Sequence, residues 1–252
     1  MKNKIALITG GSRGLGKNMA LRLAEKGHDV MLTYNTKKEE ALAVVASIEN
    51  LGQKAVALQL DVNNIGSLTQ FVSEVSTILK EKWDTNCFDF LINNAGVGAT
   101  IAYMDATEDD FDRLMNIHFK SVYFLTQKAL PIINDNGRII NISSGTTRFC
   151  NPGYSIYASM KGAIETFTKY VAKEVGSRGI TANVVAPGPI ETDFNNAAIR
   201  SNLQLKERLA SMTALGRVGE ANDIGGIVAF LCSEDGYWIN GQRIEASGGI
   251  SL

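Results

Sequence analysis

The stretch Lys4-Ile5-Ala6-Leu7-Ile8-Thr9-Gly10-Gly11-Ser12-Arg13-Gly14-Leu15-Gly16 decides how the rest of this 252-residue chain is read. Ile5 to Ile8 is an unbroken apolar run. A strand with no polar face is buried on both sides, which is the habit of a parallel sheet covered by helices. Glycines 10, 14 and 16 come at once after it, spaced GxxxGxG rather than the commoner GxGxxG. Residues 15–27 then carry Met19, Leu23 and Ala24 at helical spacing. Strand, glycine-rich turn and helix in this order let the backbone turn tightly. They present the unpaired N–H groups and positive dipole end of a helix to an anion such as a pyrophosphate. Gly10, Ser12, Arg13, Gly14, Leu15 and Gly16 are the candidate phosphate-binding residues.

The same alternation runs outward to both ends. Apolar β-rich runs lie at 29–34, 54–60, 88–93, 138–143, 180–187 and 243–247, and helical periodicity near 38–51, 65–82, 108–131, 156–177 and 221–233. The spacing predicts an α/β fold: a single doubly wound parallel seven-stranded sheet with helices on both faces and right-handed crossovers, a Rossmann-like arrangement. No low-complexity stretch, charge block or Pro/Ser-rich linker interrupts it, so residues 1–252 are read as one domain. Only the polar region 190–215 does not settle into the pattern. It reads as a surface excursion or, from its place after the sixth strand, as a substrate lid.

Composition narrows the partners. Hydrophobic residues make up 45% of the chain, and 25 basic residues balance 26 acidic ones, giving a net charge of −1. Such a balance gives no reason to expect nucleic acid or an anionic membrane. The apolar run at the start is too short for a signal peptide, and nothing approaches the roughly 18 apolar residues of a membrane span. Cys87, Cys150 and Cys232 are far apart and form no CxxC pair, so no zinc site or disulfide framework is indicated. His28 and His118 are read as structural or surface residues, and no metal is expected. A reducing cytoplasm fits.

A nicotinamide dinucleotide is recognised partly at its adenosine ribose. An acid near the end of the second strand would accept from a ribose 2′-OH. Here that strand ends Leu32-Thr33-Tyr34-Asn35-Thr36-Lys37-Lys38, with no carboxylate before Glu39. A 2′-phosphate would instead meet Ser12, Arg13, Asn35 and Lys37, and Arg suits phosphate through its planar fork of donors. Lys38 reads as a solvated helix start. NADP(H) is therefore expected over NAD(H), without excluding the latter.

Tyr157 and Lys161 stand four apart in a predicted helix and share one face. A free phenol has a pKa of about 10, and a neighbouring ammonium is expected to lower it toward the range useful for acid–base catalysis. Ser144, after the fifth strand, carries a hydroxyl that could bond a substrate oxygen. Its neighbour Ser143 is the rival.

These residues together resemble the short-chain dehydrogenase/reductase family in its single-domain form. The match spans essentially the whole chain: TGxxxGxG at 9–16, Asp61-Val62, Asn93-Asn94-Ala95-Gly96, Asn116, Ser144, YxxxK at 157–161, Pro187-Gly188-x-x-x-Thr192, Gly241-Gln242 and Gly248-Gly249. The resemblance implies that Tyr157 is the proton donor in carbonyl reduction or the base in alcohol oxidation. It implies that Lys161 binds the nicotinamide ribose, Ser144 orients the carbonyl, and Asn116 holds a water in a proton relay. Asp61 and Val62 would contact adenine, Asn93, Ala95 and Gly96 the ribose and backbone side, and Pro187, Gly188, Ile190 and Thr192 the nicotinamide end. It favours Ser144 over Ser143, and it implies a homotetramer. The extra apolar faces of 108–131 and 156–177, with Tyr237-Trp238-Ile239, agree with such assembly.

For the substrate, the resemblance extends to 3-oxoacyl-carrier-protein reductases and to many ketone and sugar reductases. It leaves an acyl carrier protein open as a partner through Arg178, although Ile132-Ile133-Asn134-Asp135-Asn136 supplies no second basic contact. Phe149 to Tyr154 is expected to line an apolar pocket wall. Three readings stand: an NADPH-dependent reductase of a ketone, aldehyde or 3-oxoacyl thioester; a dehydrogenase of a sugar, polyol or secondary alcohol; and a dinucleotide sensor without turnover. The intact Ser144, Tyr157 and Lys161 argue against the sensor.

Overall fold

The structure, a computed structural model, describes residues 3–252. Among them seven strands form one parallel sheet: β1 (Ile5–Ile8), β2 (Asp29–Tyr34), β3 (Ala55–Gln59), β4 (Phe88–Asn93), β5 (Ile133–Ile142), β6 (Thr181–Pro187) and β7 (Arg243–Ala246), in the order β3-β2-β1-β4-β5-β6-β7. Successive residues of a strand face opposite sides, and β1 uses both. Ala6 and Ile8 join a core with Met19 and Leu23 of α1 (Gly14–Glu25), Val44 of α2 (Lys38–Asn50) and Val228 of α9 (Asn222–Leu231). Ile5 and Leu7 join a second core with Leu79 of α3 (Leu68–Trp83), Leu125 of α5 (Ser121–Ala129) and Val175 of α6 (Ser155–Val175). This is the doubly wound sandwich that the apolar runs predict.

The strand order reverses at β1, which pairs with β2 on one side and β4 on the other. The loops leaving β1 and β4 therefore diverge, and a crevice opens at the carboxyl ends of the strands. Thr9 and Asn94 hold its two lips together. The Thr9 hydroxyl accepts from the Asn94 and Ala95 N–H groups at 3.0 Å each, and Asn94 Nδ2 donates to the Thr9 carbonyl at 2.9 Å.

Three segments differ from the expectation. β5 starts at Ile133 rather than 138: Ile133 pairs with Phe88, and the ladder resumes at Phe90 with Arg138 after a bulge in which Asn136 is left-handed. The long helix expected over 108–131 is α4 (Glu108–Met115), a π-helical turn (Asn116–Lys120) and α5. The polar region after β6 is helical, as α7 (Phe194–Ser201) and α8 (Leu203–Ser211), with Asn195, Asn196 and Ala197 in left-handed conformation. Its apolar residues Ile199, Leu205, Leu209 and Met212 sit on the side that meets the crevice, which explains why its composition reads as polar.

Candidate active site

The crevice is a cavity of about 680 Å³ running from the glycine-rich turn to α6. At one end α1 begins without any side-chain cap and without an acid in its first turn, so its N–H groups remain available to an anion. A Cβ on Gly16 would collide with the Gly10 carbonyl oxygen, so only glycine lets the helix begin this close to the turn. Gly10, Ser12, Arg13, Gly14, Leu15 and Gly16 all line the cavity, as do Asn35, Lys37, Asp61, Val62, Ala95, Gly96, Pro187, Gly188, Ile190 and Thr192. The cradle fits a dinucleotide: an uncapped helix start for the pyrophosphate, and cationic side chains where a ribose phosphate would lie. Arg13 also faces Asp193 at 4.0 Å, across the groove from the segment that precedes α7.

One expected cofactor-binding residue lies elsewhere. Asn93, the last residue of β4, is buried and donates to Asn141 Oδ1 at 2.8 Å and to the Thr126 hydroxyl at 3.1 Å. The alternation along β4 turns Asn93 away from the cavity, and Asn94 lines it instead. Asn116 begins the π-turn, and His118, two residues on, lines the cavity. The wide turn carries one more residue than an α-helical one. An added residue rotates the downstream side chains by roughly 100°.

Ser144, Tyr157 and Lys161 come together at the other end of the cavity. Ser144 Oγ accepts from the Thr146 N–H at 3.2 Å and from the Thr146 hydroxyl at 3.0 Å. With its acceptor capacity occupied, its own hydrogen is left to donate, and it is directed at the Tyr157 phenol. Ser143 also borders the cavity, but its hydroxyl is committed to Glu165 Oε1 at 2.7 Å, so hydrogen bonding separates the two serines. Lys161 donates to the Ile142 carbonyl at 2.8 Å, and its Nζ stands 5.6 Å from the centroid of the Tyr157 ring.

The electrostatics depart from expectation. Burial pushes the Tyr157 phenol up to about 12, against the lowering effect of the Ser144 hydroxyl, and the same burial pulls Lys161 down to about 8. Both groups are removed from water, so each resists its charged form. In the protein alone, Lys161 does not supply the lowering of Tyr157 that the sequence suggested.

His118, read as a structural or surface histidine, is buried with its ring edge-on to Tyr157, centroids 4.9 Å apart. Nε2 lies 2.9 Å from the Val97 carbonyl and must carry the proton, which leaves Nδ1 as an acceptor without a partner. A Cβ on Gly96 would come within 2.9 Å of the imidazole Cε1, so the glycine makes room for the ring. Burial, reinforced by the nearby Lys161 charge, lowers the His118 pKa to about 2. No periodicity marks His118 for this place, because the π-turn that presents it has no local sequence signature.

The remaining walls are largely apolar: Phe149, Pro152 and Tyr154 on one side, Phe194, Leu209 and Met212 on the other. Arg178 lies away from this cavity, donating to Asp135 Oδ1 at 2.8 Å and to the Leu130 and Ile133 carbonyls. Among the described residues no cluster of His, Cys, Asp or Glu could hold a metal ion, and no helix is long and apolar enough to cross a membrane.

Comparison with known proteins agrees with this geometry. A family model described as enoyl-(acyl carrier protein) reductase matches residues 10–251. The 3-oxoacyl-[acyl-carrier-protein] reductase FabG of Staphylococcus aureus is 37% identical over 251 residues, covering 99% of this chain and 98% of the relative. The angucycline C-6 ketoreductase LanV, solved with bound NADP, superposes with a TM-score of 0.94 at 38% identity, covering 99% of this chain and 96% of that one. The promiscuous reductase LugOII, which catalyses keto-reduction at C1 during lugdunomycin biosynthesis, gives a TM-score of 0.94 at 37% identity, with 99% and 98% covered. With the doubly wound sheet, the glycine-rich cradle and the Ser144–Tyr157–Lys161 cluster in place, the chain belongs to the short-chain dehydrogenase/reductase family of NAD(P)-dependent oxidoreductases.

Proposed function

We propose that the protein is an NADPH-dependent reductase that converts a ketone with an apolar body to its alcohol. The observation that carries this reading is the convergence of the Ser144 and Tyr157 hydroxyls at the end of one cavity whose other end is the phosphate cradle. NADPH, when bound, supplies the hydride to the carbonyl carbon. Arg13, with Ser12, Asn35 and Lys37, binds its 2′-phosphate, and Asp61, Val62, Ala95, Gly96, Ile190 and Thr192 line the rest of its path. Ser144 donates to the carbonyl oxygen and stabilises the charge that develops there. The Tyr157 O–H bond breaks as its proton passes to that oxygen, and the Lys161 ammonium provides the charge and proton that restore the phenol. Tyr157, kept protonated by burial, is in the form that donates a proton.

The apolar walls favour a free ketone over a carrier-borne 3-oxoacyl thioester. LanV, also solved with NADP and rabelomycin, supports the same choice, and the engagement of Arg178 with Asp135 leaves it poorly disposed to meet an acidic carrier. The free thiols Cys87, Cys150 and Cys232 fit the cytoplasm. The test is NADPH oxidation against a panel of free aromatic and alicyclic ketones, acetoacetyl thioesters with and without carrier, and, in reverse, sugars and secondary alcohols with NADP. Turnover of the ketones well above the rest is expected. A clear preference for carrier-bound thioester, or for alcohol oxidation at neutral pH, would displace the proposal.

A further inference from the structure

Behind Ser144 lies a chain of alternating charges outside the cavity lining. Glu165 extends the face of α6 that carries Tyr157 and Lys161, at successive intervals of four residues. Its Oε1 accepts from three groups: the Ser143 hydroxyl at 2.7 Å, the Thr147 hydroxyl at 2.8 Å and Arg243 Nε at 2.8 Å. Arg243, from β7, also reaches the Ser144 carbonyl at 3.4 Å and Glu245 at 3.0 Å. The one Thr147 hydroxyl hydrogen is shared between Glu165 Oε1 and that same Ser144 carbonyl, the latter at 2.9 Å. Arg148 then forks onto Glu245, both bonds at 2.8 Å, and caps the Ile250 and Ser251 carbonyls. Ile250 is itself part of the cavity wall.

We propose that Glu165 and Arg243 are positioning residues that set the distance between Ser144 and Tyr157. Tyr157 rides on a helix and Ser144 on a turn, and nothing in the helix alone fixes where that turn sits. Glu165 belongs to the helix and holds the turn at both ends, through Ser143 and Thr147. Arg243 holds Glu165 and the Ser144 carbonyl at once. The side chains of Glu165 and Arg243 are only 18% and 23% exposed, so the pair is poorly screened and its geometry is restrained. This inference rests on the reductase reading for its kinetic consequence, but its structural content is independent of any substrate.

Two measurements on the full-length protein separate the ideas. Glu165→Ala should lower kcat at least tenfold while the Kd for NADPH, read by fluorescence, stays within about twofold. A misplacement of 1 Å in a catalytic group costs on the order of a hundredfold. Glu165→Gln keeps an acceptor oxygen for all three donors and should stay within about threefold of the parent. Amide exchange in apo protein should rise over residues 143–148 in Glu165→Ala and remain low in Glu165→Gln. Unchanged kcat together with unchanged exchange overturns the proposal, as does a loss of NADPH affinity parallel to kcat. If Glu165→Ala does not fold, Thr147→Val removes the hydroxyl bonds and no charge. It should lower kcat several-fold and speed exchange at the turn, and full retention of both overturns the proposal. If the parent enzyme reduces no carbonyl, the reductase reading fails and the exchange data alone decide the role of Glu165.

Discussion

Lys161 Nζ stands 5.6 Å from the centroid of the Tyr157 ring and donates to the Ile142 carbonyl rather than to the phenol. Tyrosine and lysine are thus held side by side, one turn apart, each made reluctant to carry charge. The lysine is the member whose pKa, about 8, falls near working pH. Below that value it is an ammonium; above it the charge and its proton are gone. The pH profile of kcat/KM, which reports groups of the free enzyme, should be flat below about 8 and fall above it in the direction of reduction. A profile flat through pH 9.5 would remove Lys161 from the proton path.

Tyr157→Phe keeps the ring against His118 and removes only the phenolic proton. General acid–base catalysis contributes about 10²–10⁴-fold, so kcat should fall by that amount while NADPH titrations remain nearly superimposable. Retention of more than about a tenth of kcat would falsify the assignment of Tyr157 as proton donor.

Arg13→Ala should weaken NADPH at least about tenfold and NADH far less. A hydrogen bond to a charged group is worth roughly 1.5–3 kcal/mol, and only NADPH presents the 2′-phosphate. Equal losses in paired titrations would give Arg13 a different task, such as holding Asp193 across the groove.

His118 makes a prediction about stability. Its pKa is about 2 in the folded protein and 6.5 unfolded, so between those values the unfolded chain binds one more proton. Stability at this site is complete above 6.5 and declines as pH falls, by about 1.4 kcal/mol per pH unit. His28, also lowered by burial, adds in the same direction. Urea denaturation at pH 7.5 and pH 5.0 should show His118→Asn losing less stability on acidification than the parent. Parallel losses in both proteins would show that the imidazole is accessible and titrates normally.

Assembly can be weighed directly. Tyr170, on α6, is 66% exposed and Trp238, after α9, 92%, on a 27.2 kDa chain, and each is a candidate contact for a second copy of the chain. Two different isologous contacts close into a tetramer of D₂ symmetry. Light scattering at micromolar concentration should return four times the chain mass, and Tyr170→Glu should halve it. A monomeric parent would refute the proposal.

Much of this was legible from residue order alone. The alternation of Ala6 and Ile8 against Ile5 and Leu7 needs a sheet covered on both faces, and the glycines after Thr9 need a close helix start. The four-residue interval from Tyr157 to Lys161 needs only the geometry of a helix. What escaped was set by register and burial. Asn93 and Asn94 differ by one position, and the pleat decides between them. His118 reaches the cavity through a π-turn that has no sequence signature. The raised phenol pKa depends on how little water reaches α6, which no spacing encodes. Glu165 carries no motif, and only the fold brings Arg243, 78 residues on, beside it.

The cavity draws its two sides from different sources. Ser144, Tyr157 and Lys161 stand on β5's exit and on a single uninterrupted helix, while Phe194, Leu209 and Met212 come from the two short helices between β6 and α9. One apolar wall is therefore exchangeable without touching the Ser144–Tyr157–Lys161 cluster, while Phe149, Pro152 and Tyr154 stay with the host. Transplanting residues 193–212 from another reductase of this fold should carry over the donor's choice of ketone while leaving the proton and hydride steps to the host, which makes that segment the natural target for directed evolution toward new alcohols.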